Sequence, residues 1–111
     1  MIFRIDGREV PVEWENNKAV QELEKQGNIT VEMSMYGGFE QVGSLGRRYP
    51  SQDRHIRTKN GDIVLYSSDQ LVVFYGSNSW SYTKLGRMKL PAAEVKELLS
   101  NGNVTITISE D

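Results

Sequence analysis

At 111 residues, 38% of them hydrophobic, the chain has enough length to bury one core and too little for two, so residues 1–111 are read as a single domain. It has no cysteine and one histidine, His55, which excludes disulfides, thiolate nucleophiles and cysteine-held metals; no metal and no cofactor are expected. The net charge of −2 hides a division: residues 1–46 carry four cations against eight carboxylates, whereas 47–59 carry Arg47, Arg48, Arg54, Arg57 and Lys59 against Asp53 alone.

Ile2-Phe3-Arg4-Ile5, the tight turn Asp6-Gly7, and the alternating run from Arg8 to Trp14 read as an opening hairpin. Asn16 or Asn17 then caps a helix running to about Gln26, with Ala19, Val20 and Leu23 as its apolar stripe and Gly27 as its left-handed stop. From Asn28 to Met35 the pattern returns to a period of two, placing Ile29, Val31, Met33 and Met35 on one side. A short strand is expected around 39–42, followed by a long surface loop from Gly43 to about Asp53, where glycines, Pro50 and paired arginines accumulate.

Arg54–Lys59 and Asp62–Tyr66 flank Asn60-Gly61, the strongest hairpin signal in the chain. Leu71–Tyr75 is a continuous apolar strand, expected to be buried on both faces. A second helix is expected from about Pro91 to Leu99, with Gly102 beyond its end, and Val104–Ile108 closes the chain as a half-buried strand. Seven or eight short strands with two helices point to a mainly β fold, a closed and mostly antiparallel barrel with helices over its ends. No stretch reaches the ~20 apolar residues of a membrane span, and the first residues lack the pattern of a signal peptide, so a cytoplasmic protein with no membrane contact is expected.

Two cassettes stand out: Tyr36-Gly37-Gly38-Phe39-Glu40, continuing to Gly43-Ser44-Leu45-Gly46, and Phe74-Tyr75-Gly76-Ser77-Asn78-Ser79-Trp80-Ser81-Tyr82. Glycines interleaved with aromatics let backbone approach closely while rings line a surface, which is how a shallow cleft is built. The candidate cleft residues are Tyr36, Phe39, Glu40, Gln41, Arg47, Gln70, Tyr75, Asn78, Trp80 and Tyr82. Rings supply apolar contact, and amides and arginine donors orient a ligand. Core packing is the competing role for Phe39 and Tyr82, and the favoured one for Phe74 and Trp14.

Together with Gly-Asp-Ile-Val-Leu-Tyr at 61–66, these cassettes resemble the small bacterial and archaeal cyclophilin-like proteins over essentially the whole chain. The resemblance implies an eight-stranded barrel capped by two helices, with a cleft on its outer wall where cyclophilins bind proline-containing peptides. It also implies a Phe-His-Arg run beside the cleft in working peptidyl-prolyl isomerases, whose arginine engages the prolyl amide. Here the corresponding stretch is Phe39-Glu40-Gln41, so the fixed cation is missing at that position, and Arg47 or Arg48 would have to reach in from the adjacent loop. Gln70, followed by aliphatic residues, stands where the family carries Gln-Phe-Phe.

Two readings of function follow. The first is a non-catalytic binding module that takes a peptide segment or small ligand on the barrel wall. The alternative is a prolyl isomerase with an altered, weak site. The family's small members are commonly left without an assigned activity, and related domains resemble companions of flavodoxin-like redox proteins, which makes an acidic partner for the 47–59 segment a further expectation. Single-stranded nucleic acid is disfavoured by the acidic overall balance and by the lack of a recognition motif. Isolated carboxylates and unframed serines leave no basis for a hydrolase.

Overall fold

Strands form wherever apolar and polar residues alternate, because one face of each is buried while the other meets water or a second packing layer. In the computed structural model, which describes residues 1–110, the elements run β1 (Ile2–Ile5), β2 (Arg8–Val10), β3 (Val12–Trp14), α1 (Lys18–Gln26), β4 (Ile29–Glu32), β5 (Ser34–Tyr36), β6 (Glu40–Ser44), β7 (Arg54–Arg57), β8 (Asp62–Tyr66), β9 (Gln70–Phe74), β10 (Ser79–Met88), α2 (Ala92–Leu99) and β11 (Thr105–Ser109). One antiparallel sheet has the order β2-β1-β11-β4; the other follows β3-β10-β8-β9-β6-β5, with β7 paired to β10 beside that path. Neither sheet closes on itself. No helix among the described residues is long and apolar enough to cross a membrane.

Besides the crossings made through α1 and α2, the chain passes directly between the sheets at two corners. Pro11 separates β2, which pairs with β1, from β3, which pairs with β10. Having no N–H to donate, proline cannot continue a ladder, so the run expected as one strand from Arg8 to Trp14 is split and bent at that residue. Met33 does the same between β4, on β11, and β5, on β6. Its N–H donates to the Val104 carbonyl at 2.9 Å and its side chain is buried. Near this second corner β4 and β6 lie so close that a Cβ on Gly43 would be 2.5 Å from the Glu32 carbonyl.

Both helices follow their sequence signals. The Asn17 carboxamide caps α1 by accepting from the Val20 N–H at 3.0 Å, and Gly27 ends the helix at φ 81°. Ala19, Val20 and Leu23 are its buried residues, as the stripe implied. In α2, Pro91 precedes the first turn and Val95 and Leu99 are buried.

The Asn60-Gly61 hairpin does not form. The chain turns there, with Gly61 at φ 96°, but β7 and β8 each pair with β10 instead of with one another. The reason lies in where the polar groups go: the Asn60 amide donates to the Tyr75 and Ala92 carbonyls, and the Gly61 N–H donates to Phe74. The corner is thereby tied to the end of β9 and the start of α2. The ten-residue β10 serves both neighbours, and it occupies a serine-rich stretch that sequence reading leaves as a loop. The expected loop after Gly43 is likewise anchored, since Tyr49 is buried and its N–H donates to the Ser68 carbonyl at 2.7 Å.

Two apolar clusters result. The larger lies between the sheets and includes Phe3, Ile5, Leu23, Leu71, Val73, Leu99, Ile106 and Ile108. The smaller, Val64, Val72, Phe74 and Tyr82 with Phe39, Val42, Ile56 and Tyr66 packed against it, occupies the opposite face of the second sheet. Strand β9 feeds both, which is why it is apolar throughout.

Candidate functional site

Side chains two apart on a strand share a face, so the pairing register decides what the outer face displays. On β6, Glu40 and Val42 point outward and Gln41 inward; opposite them on β9 stand Phe74 and Val72, and Gln70 continues the row. Tyr66 on β8 pairs with Gln70, and Tyr36 on β5 pairs with Glu40. The first half of β10 adds Trp80 and Tyr82 to the same face.

These residues surround a cleft of about 340 Å³ lined by Tyr36, Glu40, Val42, Tyr66, Gln70, Val72, Asn78, Trp80 and Tyr82. Its floor is rigid. The Tyr82 ring packs edge-to-face on Phe74 (centroids 5.6 Å apart) and on Tyr66 (6.0 Å). The Asn78 amide donates to the Tyr82 hydroxyl at 2.8 Å, and Asn78 is itself held through its backbone by Thr58. The rim is more open: Tyr36 and Trp80 are 65% and 55% exposed, the two largest exposures among the big apolar side chains described.

Glu40 is the chemically unusual member. It is 7% exposed, and burial alone raises its carboxyl from the ordinary 4.5 to about 7, with no neighbouring charge or hydrogen bond pulling it back. Among the described residues, no lysine, arginine or histidine lines the cleft. Burial also raises the Tyr82 hydroxyl above its usual range, an effect opposed by the hydrogen bond from Asn78.

Of the ten candidate residues, six line this cleft: Tyr36, Glu40, Gln70, Asn78, Trp80 and Tyr82. The other four stand elsewhere, each for a physical reason. Phe39 sits beneath the glycines of both cassettes, and its carbonyl accepts from the N–H groups of Tyr75 and Gly76, each at 3.0 Å. Gln41 faces the interior, donating to the Leu99 and Gly102 carbonyls (2.6 and 2.9 Å) and accepting from Val104 N–H (3.1 Å). Tyr75 belongs to the larger core. Arg47 lies beside α1, bonded to Gln26 (2.6 Å) and Glu22 (3.2 Å), with its guanidinium 4.7 Å from the Tyr49 ring centroid.

Val42, Tyr66 and Val72 also line the cleft and are not among the ten candidates. Alternation outward from Glu40 and Gln70 reaches Val42 and Val72. Tyr66 needs the β8–β9 register, set by Ser67 and Ser68, both at positive φ and neither a glycine to mark the turn. Trp80 and Tyr82 come from a strand and not from a loop.

Residues 3–109 match the model of the Cyclophilin-like family. No curated protein and no solved structure matches the chain.

Proposed function

The chain belongs to the cyclophilin-like family, and from that premise we propose that it is a binding module, taking a peptide segment or small ligand into the outer-face cleft. One observation carries the reading: the six candidate residues around the cleft combine aromatic rings with the amides of Gln70 and Asn78 over a floor braced by the Asn78–Tyr82 hydrogen bond. A concave, mostly apolar surface with a few fixed polar groups is the ordinary form of a ligand site, and about 340 Å³ is within the usual range. Phe39, Gln41, Tyr75 and Arg47 act in this reading as supports of the scaffold.

Prolyl isomerisation is the second reading, favoured by the family. Its barrier is ~20 kcal/mol and needs no covalent chemistry, only better binding of the twisted amide. Among the described residues the lining offers no cation to donate to that amide, so any activity is weak.

The family's closed eight-stranded barrel, capped by two helices, is also our reading of the fold. It is supported by the corners: with β2–β3 and β4–β5 each counted as one bent strand and β7 set aside, eight strands follow one another in a ring. We read the chain as a single domain working in the cytoplasm. An acidic, flavodoxin-like partner is favoured by the basic segment, where among the described residues only Arg47 of the five cations is in an ion pair. Nucleic acid is not part of the proposal, because a cleft without cations cannot track a phosphate backbone.

The test is a backbone amide NMR titration with acetylated, amidated Ala-Ala-Pro-Ala, with exchange spectroscopy of the prolyl bond. Shifts clustered on 36–44 and 66–82 without faster exchange are expected. Accelerated exchange would make the protein an isomerase, and absence of shifts at millimolar peptide would remove prolyl peptides as ligands.

A further inference from the structure

The cleft is built around an unusual pairing of groups. Glu40 is more than nine-tenths buried and opens into the cleft, yet among the described residues no lysine, arginine or histidine lines the same surface. A carboxylate placed this way ordinarily costs stability unless a cation pairs with it. Around it stand the rings of Tyr36, Tyr66, Trp80 and Tyr82, whose negative quadrupoles attract a cation and whose apolar bodies displace its water. Among the described residues that line the cleft, the titratable groups beside Glu40 are Tyr36, Tyr66 and Tyr82, from β5, β8 and β10; β9 contributes Phe74, Val72 and the neutral Gln70, while Arg54 of β7, paired with Tyr82, and Asp62 of β8 lie outside the lining.

We propose that the cleft selects a ligand carrying an organic ammonium group, which pairs with the Glu40 carboxylate and is enclosed by the rings of Tyr36, Tyr66, Trp80 and Tyr82. The inference rests on the reading of the cleft as a ligand site and narrows it from any peptide or small molecule to a cationic one. An anionic ligand is opposed by Glu40 and meets no cation, and a purely apolar ligand leaves the carboxylate buried and unpaired. Asn78 holds Tyr82 in place, so that ring is in position before the ligand arrives. The ammonium is carried either on a lysine side chain or on a free amine.

The experiment is an NMR titration of the full chain at pH 8 with three probes: acetylated, amidated Ala-Lys-Ala, the same peptide with norleucine in place of lysine, and n-butylammonium chloride. At that pH Glu40 is mostly ionised. The lysine peptide is expected to bind about tenfold or more tightly than the norleucine peptide. Glu40→Gln should abolish that preference. Trp80→Ala, at an exposed position where folding is not at risk, should weaken lysine-peptide binding several-fold while leaving the spectrum outside the cleft unchanged. Comparable affinity for butylammonium identifies a free amine as sufficient, whereas a much tighter lysine peptide identifies a polypeptide ligand. Equal binding of the lysine and norleucine peptides overturns the cationic preference while the cleft stands as a binding site. A preference that survives in Glu40→Gln overturns the role given to Glu40. No cleft shift with any probe overturns both this inference and the binding reading beneath it.

Discussion

Phe39 and Gly76 touch so closely that a Cβ on Gly76 would lie 2.8 Å from the Cβ of Phe39. The Phe39 carbonyl meanwhile accepts from the Gly76 N–H, so the two cassettes are joined by packing and by hydrogen bonding at one point. Gly76→Ala should therefore destabilise the fold by about 1–3 kcal/mol, the usual cost of forcing an extra carbon into a packed site. Gly38→Ala is the comparison. At φ 73° it carries backbone strain but meets nothing within 4 Å, so it should cost about 1 kcal/mol. Urea denaturation of the two variants checks the order; equal losses would mean that the contact with Phe39 is not what requires glycine at position 76.

Gln41 is the fully buried polar residue that ties β6 to the end of α2 and the start of β11 through three hydrogen bonds. Replacing it with leucine keeps the bulk and strands the Leu99 and Gly102 carbonyls and the Val104 N–H. Losing partners for buried backbone groups costs about 1–3 kcal/mol per group, partly relieved by relaxation, so Gln41→Leu should cost about 3 kcal/mol. Hydrogen exchange should show the loss first at Val104. A variant as stable as the parent would place the anchoring of α2 elsewhere.

Arg47 bonds to residues of α1, whose Ala19 and Leu23 share an apolar surface with Leu65 and Leu85 on the inner side of the second sheet. Its ion pair with Glu22 is partly exposed, and such pairs together with a stacked ring contribute about 0.5–1 kcal/mol. Arg47→Ala should lower stability by about that amount and leave cleft affinity unchanged for every probe. A several-fold change in affinity would instead place its guanidinium within reach of the cleft.

Much of this architecture is legible in the residues themselves. Asn17, Gly27 and Pro91 mark helix ends because their chemistry is local: a side chain accepts from the first turn, a backbone must adopt positive φ, or a ring fixes φ where no N–H is needed. Strand partnership is not local. Asn60-Gly61 carries the sequence of a hairpin turn, and yet its polar groups are taken by Phe74 and Tyr75 at the end of β9 and by Ala92 at the start of α2, two segments the sequence cannot bring alongside. Ser67-Ser68 makes the actual connection between β8 and β9 with no glycine to announce it. The same distinction governs the site. Six candidates line the cleft because alternation and ring content are visible along a strand; Gln41 and Arg47 stand apart because facing inward, or pairing with α1, depends on register and on a helix more than ten residues away.

Glu40 links the cleft to pH through stability as well as binding. Its carboxyl rises from 4.5 to about 7 on folding because burial disfavours the charged form. The folded state therefore holds a proton that the unfolded chain releases between these values, and stability falls as pH rises through that window. The contribution is fully present below about pH 4.5 and is lost by about pH 8, amounting to at most about 3 kcal/mol. Glu40→Gln cannot ionise, so the difference in unfolding free energy between variant and parent should grow in the variant's favour from pH 5 to pH 8. Urea denaturation at both pH values measures that difference with all other titrating groups held in common. A difference independent of pH would mean that water reaches the carboxylate freely in the folded protein. If an ammonium ligand occupies the cleft, the pH dependence should shrink when the lysine peptide is present at saturation, because the ligand stabilises the ionised form that burial alone disfavours.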